Sequence, residues 1–326
     1  MNHPIHSISG LAVLAGASLL TPVSAVVNIA YVSVGNAGNA KDSTGYGAVP
    51  YDYQIAKNET TIGQYAEFLN QAAKSDPYSL YSPDITSDPK IAGITRSGSD
   101  GSYSYVPVPG SENRPITLVS WYDAARFCNW MHNGQGSGST ETGAYTLNGS
   151  MSGIYTKNAG ATTWIPSENE WYKAAYYDAT KGGTGGYWKY PMQSNALGGN
   201  TIGVANSANY YDGDYGSPDA PTGNALTDVG AYGANSDSFY GTNDQGGNVS
   251  EWNDSVVVGV YRGLRGGHWN RYDSFVAGAL ASSSRDYSVP SNGSGLTGFR
   301  VASVPEPSCA VLTLLASGGL VTRRKR

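Results

Sequence analysis

The chain has 326 residues, of which only 14% are charged, and it contains 43 glycines and 25 tyrosines. This composition excludes a charge-rich disordered tail and a regular helical bundle, and it favours a globular domain rich in loops. The formal net charge of −5 offers no basic surface, so nucleic acid is not an expected partner.

The N-terminal segment, residues 1–25, has the features of a secretory signal peptide. It contains no Asp, Glu, Lys or Arg, and an apolar run extends from Leu11 to Leu20. The small residues Ser24 and Ala25 then form a cleavage pattern. The sequence therefore predicts an exported protein whose mature chain begins at Val26, with a buried N-terminal helix as the alternative.

Two strands and a helix are predicted at the start of the mature chain. Val27–Val34 is mostly apolar and β-branched, and Tyr51–Ala56 alternates in polarity, so both segments predict strands. Apolar side chains then recur at helical spacing over Ile62–Leu69. Thr60 or Thr61 is the expected N-cap of this helix.

Two further helices are predicted to begin at capping boxes, in which an N-cap Ser and an acid three residues later bond each other's backbone N–H groups. One helix spans Ser120–His132 with Asp123 as the acid, and the other opens at Ser167 with Glu170 as the acid. Cys128 lies on the inner face of the first of these helices, where a small buried apolar residue is expected.

The segments between these elements are rich in Gly, Ser, Asn and Asp. Ser75–Gly110 predicts a surface loop with one hairpin at Tyr103–Val108, and Gly134–Ala161 predicts a loop with short strands at Ala144–Leu147. Lys181–Asn243 has almost no regular pattern. Loops of this length inside a domain are usually functional or ordered by a ligand. The sequence thus predicts one irregular domain.

The segment Asp244–Trp252 combines hard oxygen donors with a tight turn. Asp244 and Glu251 stand near its ends, and two glycines between them can adopt a positive φ. Such a turn can direct carboxylate and carbonyl oxygens towards one centre, which is the environment that Ca²⁺ requires. A glycine-rich turn capped by Asp is the plainer alternative. In both cases Trp252 is expected in the core.

The C-terminal segment, residues 305–326, has three parts in a fixed order. Pro305-Glu306-Pro307 precedes an apolar run from Cys309 to Val321, and residues 323–326 are all basic. The run is shorter than the roughly twenty residues that span a bilayer, so a transient membrane association is expected, with the basic end on the cytoplasmic side. This order resembles the PEP-CTERM sorting signal of Gram-negative bacteria that produce exopolysaccharide, and it implies an exosortase-type partner.

Six short motifs follow one another along the mature chain: Asn58-Glu59-Thr60-Thr61, Arg114-Pro115-Ile116, Trp164-Ile165-Pro166-Ser167-Glu168, Gly247-Asn248-Val249-Ser250-Glu251-Trp252, Arg265-Gly266-Gly267-His268-Trp269 and Gly298-Phe299-Arg300. Their ordered set resembles the formylglycine-generating enzyme (sulfatase-modifying factor) family. The resemblance implies that residues 26–304 form an α+β domain with the irregular, loop-rich fold of that family, which is related to C-type lectins.

The resemblance also implies calcium sites, because in this family the turn at Gly247–Trp252 binds a structural Ca²⁺. The implied ligands are side-chain oxygens of Asp244 and Glu251 and backbone carbonyls of Gly247 and Val249. A second calcium site of the family implies Asn209 and Tyr210. For that site Asp212, Asp214 and Asp219 compete as the acidic ligand.

The catalytic part of the family does not carry over. Formylglycine-generating enzymes bind copper through two cysteines shortly after the Gly-Gly motif, and soft thiolates are the ligands that Cu(I) selects. These positions fall on Arg271 and near Val276, so copper is not expected. Related iron enzymes use three histidines, whereas the mature chain contains only His132 and His268.

These observations predict an exported binding or structural domain at the cell envelope, the cell surface or in the extracellular matrix of a Gram-negative bacterium. A peptide or glycan ligand is expected beside the aromatic and polar side chains His268, Trp269, Arg271, Tyr272 and Tyr287. The alternative is a metal-dependent oxidoreductase of the same superfamily, in which His268 acts together with neighbouring carboxylates.

Overall fold

The computed structural model describes residues 26–220, 223–270 and 276–305. The predicted signal peptide, residues 1–25, and nearly all of the predicted sorting segment lie outside these ranges, so both stay predictions. Within the described ranges, no helix combines the length and the apolar character that crossing a bilayer would require.

Short elements alternate with long connections along the chain. In order they are β1 (Tyr31–Val34), β2 (Tyr53–Ala56), α1 (Ile62–Ala72), α2 (Asp84–Ser87), β3 (Ile94–Ser97), β4 (Ser104–Pro107), α3 (Trp121–His132), β5 (Thr163–Trp164), α4 (Glu168–Tyr176), β6 (Tyr177–Asp178), β7 (Gly186–Tyr187), β8 (Ser250–Val258), β9 (Tyr261–Arg265), α5 (Val276–Ala279), β10 (Asp286–Ser288), β11 (Thr297–Gly298) and β12 (Ala302–Ser303). Two 3-10 helices, Lys181–Gly183 and Ala234–Ser236, lie between β6 and β8.

Two four-stranded sheets connect distant parts of the sequence. The first has the order β1-β2-β12-β5 and is antiparallel throughout, so the C-terminal strand lies between two strands from the first half of the chain. The second has the order β10-β9-β8-β11, in which β11 runs parallel to β8. The second sheet therefore places Thr297 and Gly298 beside the end of the turn at Asp244–Trp252.

The two predicted capping boxes are present, and the predicted N-cap Thr61 forms a third one that was not predicted. Thr61 caps α1 together with Gln64, Ser120 caps α3 together with Asp123, and Ser167 caps α4 together with Glu170. An N-cap of this kind contributes on the order of 1 kcal/mol to helix stability. These helices could be located from sequence because the capping interaction involves residues only three positions apart.

An aromatic core lies between α1 and α3. Phe127 packs edge-on against Phe68 and Phe299, with ring centroids 5.4 Å apart in each pair, and Phe68 contacts Trp130 at 5.2 Å. Such pairs contribute about 0.5–1.5 kcal/mol beyond the burial of their surface. Trp252 is fully buried in the same cluster, as predicted.

Cys128 also belongs to this core and is fully buried and free, as predicted. Burial raises the pKa of its thiol well above the usual range. We expect a native Cys309→Ala protein to resist a thiol reagent and to be labelled fully once it is unfolded in denaturant. Mass spectrometry after a short exposure tests this, and rapid labelling of the native protein would contradict the burial of Cys128.

One predicted element is absent from the structure, and one observed hairpin was not predicted. Ala144–Leu147 forms no strand, because the backbone N–H of Tyr145 bonds the Asn129 side chain instead of a neighbouring strand. The long hairpin of β8 and β9 was not predicted, because its strands mix buried polar residues with exposed valines and do not alternate cleanly. A hairpin was predicted at Tyr103–Val108, whereas the observed hairpin consists of β3 and β4, so the predicted range contains only its second strand.

Candidate functional site

The predicted calcium turn lies in the interior, and its backbone bends tightly. Asp244 and Asn248 adopt left-handed φ angles of 56° and 57°, and Gly247 adopts 83°. Glycine is required at position 247, because a Cβ there would lie 2.4 Å from the carbonyl oxygen of Asn209. The Asp244 carboxylate accepts a 2.5 Å hydrogen bond from the backbone N–H of Gly230. The turn is thus held by contacts with two other segments.

Both carboxylate oxygens of Glu251 are bound within the protein. Arg300 donates to them at 2.6 and 2.7 Å, and the Trp171 indole donates to Oε2 at 2.7 Å. The remaining Arg300 donors reach the carbonyl oxygens of residues 56, 57 and 243. The side chains of Glu251 and Arg300 are 0% exposed. The Arg300 guanidinium therefore balances the charge of the Glu251 carboxylate.

This geometry does not fit the predicted role of Glu251 as a calcium ligand. A calcium ion would have to displace a buried guanidinium that binds the carboxylate in a two-point arrangement, and such pairs are strong hydrogen-bonding units. Calcium ligation by the backbone carbonyls of Gly247 and Val249 stays a prediction. Calcium binding at this turn therefore stays a prediction. Among the predicted ligands, the Glu251 carboxylate is the one already engaged by Arg300.

The second predicted calcium pair is partly engaged in protein contacts, while the side-chain oxygen of Asn209 has no hydrogen-bond partner in the described part of the chain. The Asn209 side chain donates to the Ala225 carbonyl and to the Asn248 amide oxygen, and the Tyr210 carbonyl accepts from Asn200. Of the three competing acids, Asp219 pairs with Arg114. The described ranges contain no group of three or more His, Cys, Asp or Glu side chains that could hold a metal ion. Calcium at Asn209 and Tyr210 stays a prediction.

A second buried ion cluster lies at the start of α4. Glu168 accepts from Arg265 at 2.6 Å and from Arg285 at 2.7 Å, and its side chain is 3% exposed. The Arg265 guanidinium stacks on the rings of Tyr46 and Tyr172 at 4.8 and 5.1 Å. The capping box accounts for the position of Glu170 only. The partners of Glu168 could not be predicted, because they come from β9 and from the segment before β10.

The predicted ligand position at His268 has little free space in the described structure. His268 is half-buried and lines a cavity of about 20 Å³ with Arg265, Ser284, Asp286 and the glycines before it. A volume of that size holds about one water molecule. Arg271 and Tyr272, which belong to the same predicted site, lie outside the described residues.

Two other predicted ligand residues, Trp269 and Tyr287, do not line the cavity at His268. Trp269 is 5% exposed and packs in an apolar cluster, and its indole donates to the Gly295 carbonyl at 3.1 Å. Trp269 is therefore a packing residue in this structure, and its ligand role stays a prediction. Tyr287 is 48% exposed on β10 and packs edge-on against Tyr261, with ring centroids 5.5 Å apart. Tyr287 stays a candidate for surface contacts.

A larger cavity, of about 420 Å³, lies elsewhere and was missed by the sequence analysis. We call it the acidic cavity, because its wall contains three carboxylates and a single guanidinium: Asp76, Asp84, Asp123 and Arg96. Its wall also includes Leu118, which holds a strained left-handed φ of 58°. Sequence spacing could not reveal this cavity, because it is assembled from the segments around positions 80, 96, 120 and 292.

Asp123 is the most constrained charge in the acidic cavity. The residue is 5% exposed; its Oδ2 accepts from the Ser120 N–H at 2.8 Å, and its Oδ1 has no hydrogen-bond partner in the described part of the chain. Burial raises the pKa of this carboxyl to about 6, partly offset by its bonds to Ser120. A cationic donor would satisfy this oxygen and favour its ionised form.

Two of the other charges in the acidic cavity, Asp76 and Arg96, are held in place by their neighbours, whereas Asp84 is exposed. Asp76 accepts from the backbone N–H groups of residues 80 and 81 at 2.8 and 3.1 Å. The Arg96 guanidinium lies between two tyrosine rings, 4.7 Å from Tyr81 and 4.3 Å from Tyr103. These contacts fix the charges before any ligand arrives, which reduces the entropy lost on binding.

Solved structures share this fold at low sequence identity. The crystal structure of CarF has a TM-score of 0.51 at 18% identity and covers 86% of this chain and 100% of its own. Treponema denticola variable protein 1 has a TM-score of 0.52 at 19% identity and covers 87% and 100%. PvdO from Pseudomonas aeruginosa has a TM-score of 0.43 at 17% identity, with 85% and 92% coverage. No curated protein sequence matches the chain.

The sequence itself matches one family over most of its length. The match to the Sulfatase-modifying factor enzyme 1-like domain covers residues 32–304, which include the described strands and helices except the first residue of β1. The irregular α+β architecture predicted from the six motifs is thereby confirmed. The chain belongs to the Sulfatase-modifying factor enzyme 1-like domain family.

Proposed function

We propose that this protein is a non-catalytic binding module that holds a basic side chain of a peptide ligand in the acidic cavity. The observation that carries the proposal is Asp123, whose buried carboxylate has an unpartnered oxygen in the wall of a cavity of about 420 Å³. Ligand sites commonly have volumes of about 300–1,000 Å³. A Lys ammonium or an Arg guanidinium offers the donors that this oxygen lacks.

The charge of the cavity favours a cation. Asp76, Asp84 and Asp123 outnumber Arg96, so the ionised wall carries a net charge of −2. Tyr81, Leu118 and Met151 add apolar surface for the aliphatic stem of a basic side chain. A hydrogen bond to a charged group contributes about 1.5–3 kcal/mol when both partners are desolvated.

The cellular setting of the proposal comes from the chain ends. The apolar N-terminal run and the Pro-Glu-Pro segment support export, handling by an exosortase-type enzyme and attachment at the envelope or in the matrix. A basic segment of another surface protein is then the ligand class to test. The alternative function, a metal-dependent oxidoreductase, has no supporting donor set in the described part of the chain.

The proposal predicts selective binding of basic peptides. We expect a fluorescently labelled peptide array to show binding of Lys- or Arg-containing peptides that weakens with added salt. Asp123→Asn should lower the affinity about tenfold or more, because it removes the charge while keeping an oxygen that can cap α3. Exposed Asp100 lies outside the cavity lining, so Asp100→Asn is the matched control. Equal binding by both variants, or capture of glycans only, would contradict the proposal.

A further inference from the structure

Another cavity, with a volume of about 300 Å³, combines charged and apolar side chains in its wall. We call it the Arg114 cavity; its two acids are Asp219 and Asp228, and its apolar side chains are Ile202, Pro218, Leu226 and Ala231. Its lining shares no residue with that of the acidic cavity or of the small cavity at His268. The volume is at the lower end of the range of ligand sites, about 300–1,000 Å³.

One donor of the Arg114 guanidinium lacks an acceptor. Nη2 pairs with Asp219, whereas Nε is buried and has no hydrogen-bond partner in the described part of the chain. Asp228 Oδ1 lies 3.9 Å from Nε, which is too far for a hydrogen bond. The Arg114 side chain is only 13% exposed. An unmade hydrogen bond at a buried donor is costly, so a ligand atom that accepts from Nε would be favoured.

The two acids of the Arg114 cavity decide which kind of acceptor fits. The side chains of Asp219 and Asp228 are 56% and 54% exposed, so their carboxylates are open to donors from a ligand. A Lys or Arg side chain has no acceptor for Arg114 Nε, and an anion would be repelled by the two carboxylates. A hydroxyl group both donates and accepts. The cavity therefore favours a neutral ligand with several hydroxyl groups.

The wall of the Arg114 cavity is held by hydrogen bonds between its segments. Ser217 Oγ donates to the Asn224 carbonyl at 2.9 Å and accepts from the Asp219 N–H at 3.3 Å. The Val229 N–H donates to the Asn113 carbonyl at 2.9 Å, which joins the segment of Asp228 to that of Arg114. A wall that is fixed before binding reduces the entropy lost when a ligand is held.

We propose that the Arg114 cavity binds a neutral sugar without a metal ion. One hydroxyl oxygen accepts from Arg114 Nε, and other hydroxyls donate to Asp219 and Asp228. The C–H face of the sugar ring packs against the apolar side chains of the wall. Apolar walls with a few placed polar groups are the usual composition of small-molecule sites. This inference goes beyond the proposed peptide binding and concerns a different cavity.

The proposal is tested by ligand-observed NMR titration of the full-length protein with D-glucose, D-galactose and D-mannose in the presence of a chelator. We expect at least one of these sugars to bind with a Kd on the order of 1 mM. The uronate of the same sugar should bind at least about threefold more weakly, because its carboxylate is repelled by the two acids. Asp228→Ala should lower the sugar affinity about fivefold, because it removes an acceptor. Exposed Asp100 lies outside the cavity lining, so Asp100→Ala should keep the affinity.

The outcomes separate a sugar site from a cavity that holds only water. Failure of all three sugars to bind would mean that water satisfies Arg114 Nε, and an unchanged affinity in Asp228→Ala would place the sugar elsewhere; either result overturns the proposal. Arg114→Met provides a second test, in which sugar binding should be lost.

Sugar binding and peptide binding can fail separately. Asp123→Asn should leave the sugar affinity unchanged, because Asp123 lines only the acidic cavity among the two. A basic peptide should not displace the sugar, and displacement by the peptide would contradict a separate sugar site.

Discussion

Replacing Arg300 with methionine should lower the free energy of unfolding by about 3–5 kcal/mol, because it leaves Glu251 charged and buried without its partner. Arg300 is 0% exposed and also donates to three backbone carbonyls that link β2, the central turn and the segment before β12. Urea unfolding followed by tryptophan fluorescence measures this loss of stability. Trp171 is a suitable probe because its indole donates to the Glu251 carboxylate.

Arg285→Met is the matched control for this experiment. Arg285 also binds a carboxylate, but its side chain is 30% exposed and Glu168 keeps Arg265 as a second partner. Partly exposed ion pairs contribute about 0–1 kcal/mol, so the control should lose much less stability. Similar losses in the free energy of unfolding of the two variants would contradict the larger contribution expected of the Arg300–Glu251 pair.

Acidification from about pH 8 to about pH 5 should stabilise the protein by about 3–5 kcal/mol, in contrast to most proteins. Burial raises the pKa of Asp123 and of Asp244 to about 6, and that of Asp254 to about 7, from an ordinary value of 3.8. Folding therefore takes up protons between pH 4 and 7. The stabilisation is complete below the unfolded pKa and is lost as the pH rises through the folded values.

The pH dependence can be assigned to one residue by substitution. Asp123→Asn should remove about 1.4 kcal/mol of the gain, because its folded pKa of about 6 lies one unit above the final pH of about 5. Exposed Asp100→Asn should leave the pH profile unchanged. The measurement is urea unfolding across the pH range in the presence of a chelator. A stability that is constant or falls on acidification above about pH 5 would contradict the raised pKa values.

Local interactions could be predicted from the sequence, and distant ones could not. The N-termini of α3 at Ser120 and α4 at Ser167 follow from capping contacts between residues three positions apart. Both are found as predicted. The burial of Cys128 and Trp252 follows from apolar neighbours at helical spacing and from the preference of large aromatics for the core. In each case the information lies within one short segment.

The environments of the candidate site residues, by contrast, depend on contacts between residues that are far apart in the sequence. The pairing of Glu251 with Arg300 could not be predicted, because Arg300 is 49 residues away and no spacing rule connects the two. Trp269 follows the predicted Gly-Gly turn, but the direction of its side chain is set by Gly295 and a separate apolar cluster. Asp123 was identified only as a capping acid, although one of its oxygens remains unpartnered in the wall of the acidic cavity.

Native mass spectrometry with a basic, cysteine-containing peptide tests the central claim, that this family member binds a ligand without converting it. The protein and peptide should form a one-to-one complex from which the peptide is released with its mass unchanged, and Asp123→Asn should reduce the complex about tenfold or more. A peptide whose cysteine had been converted to an aldehyde, or a complex that Asp123→Asn leaves intact, would contradict the claim.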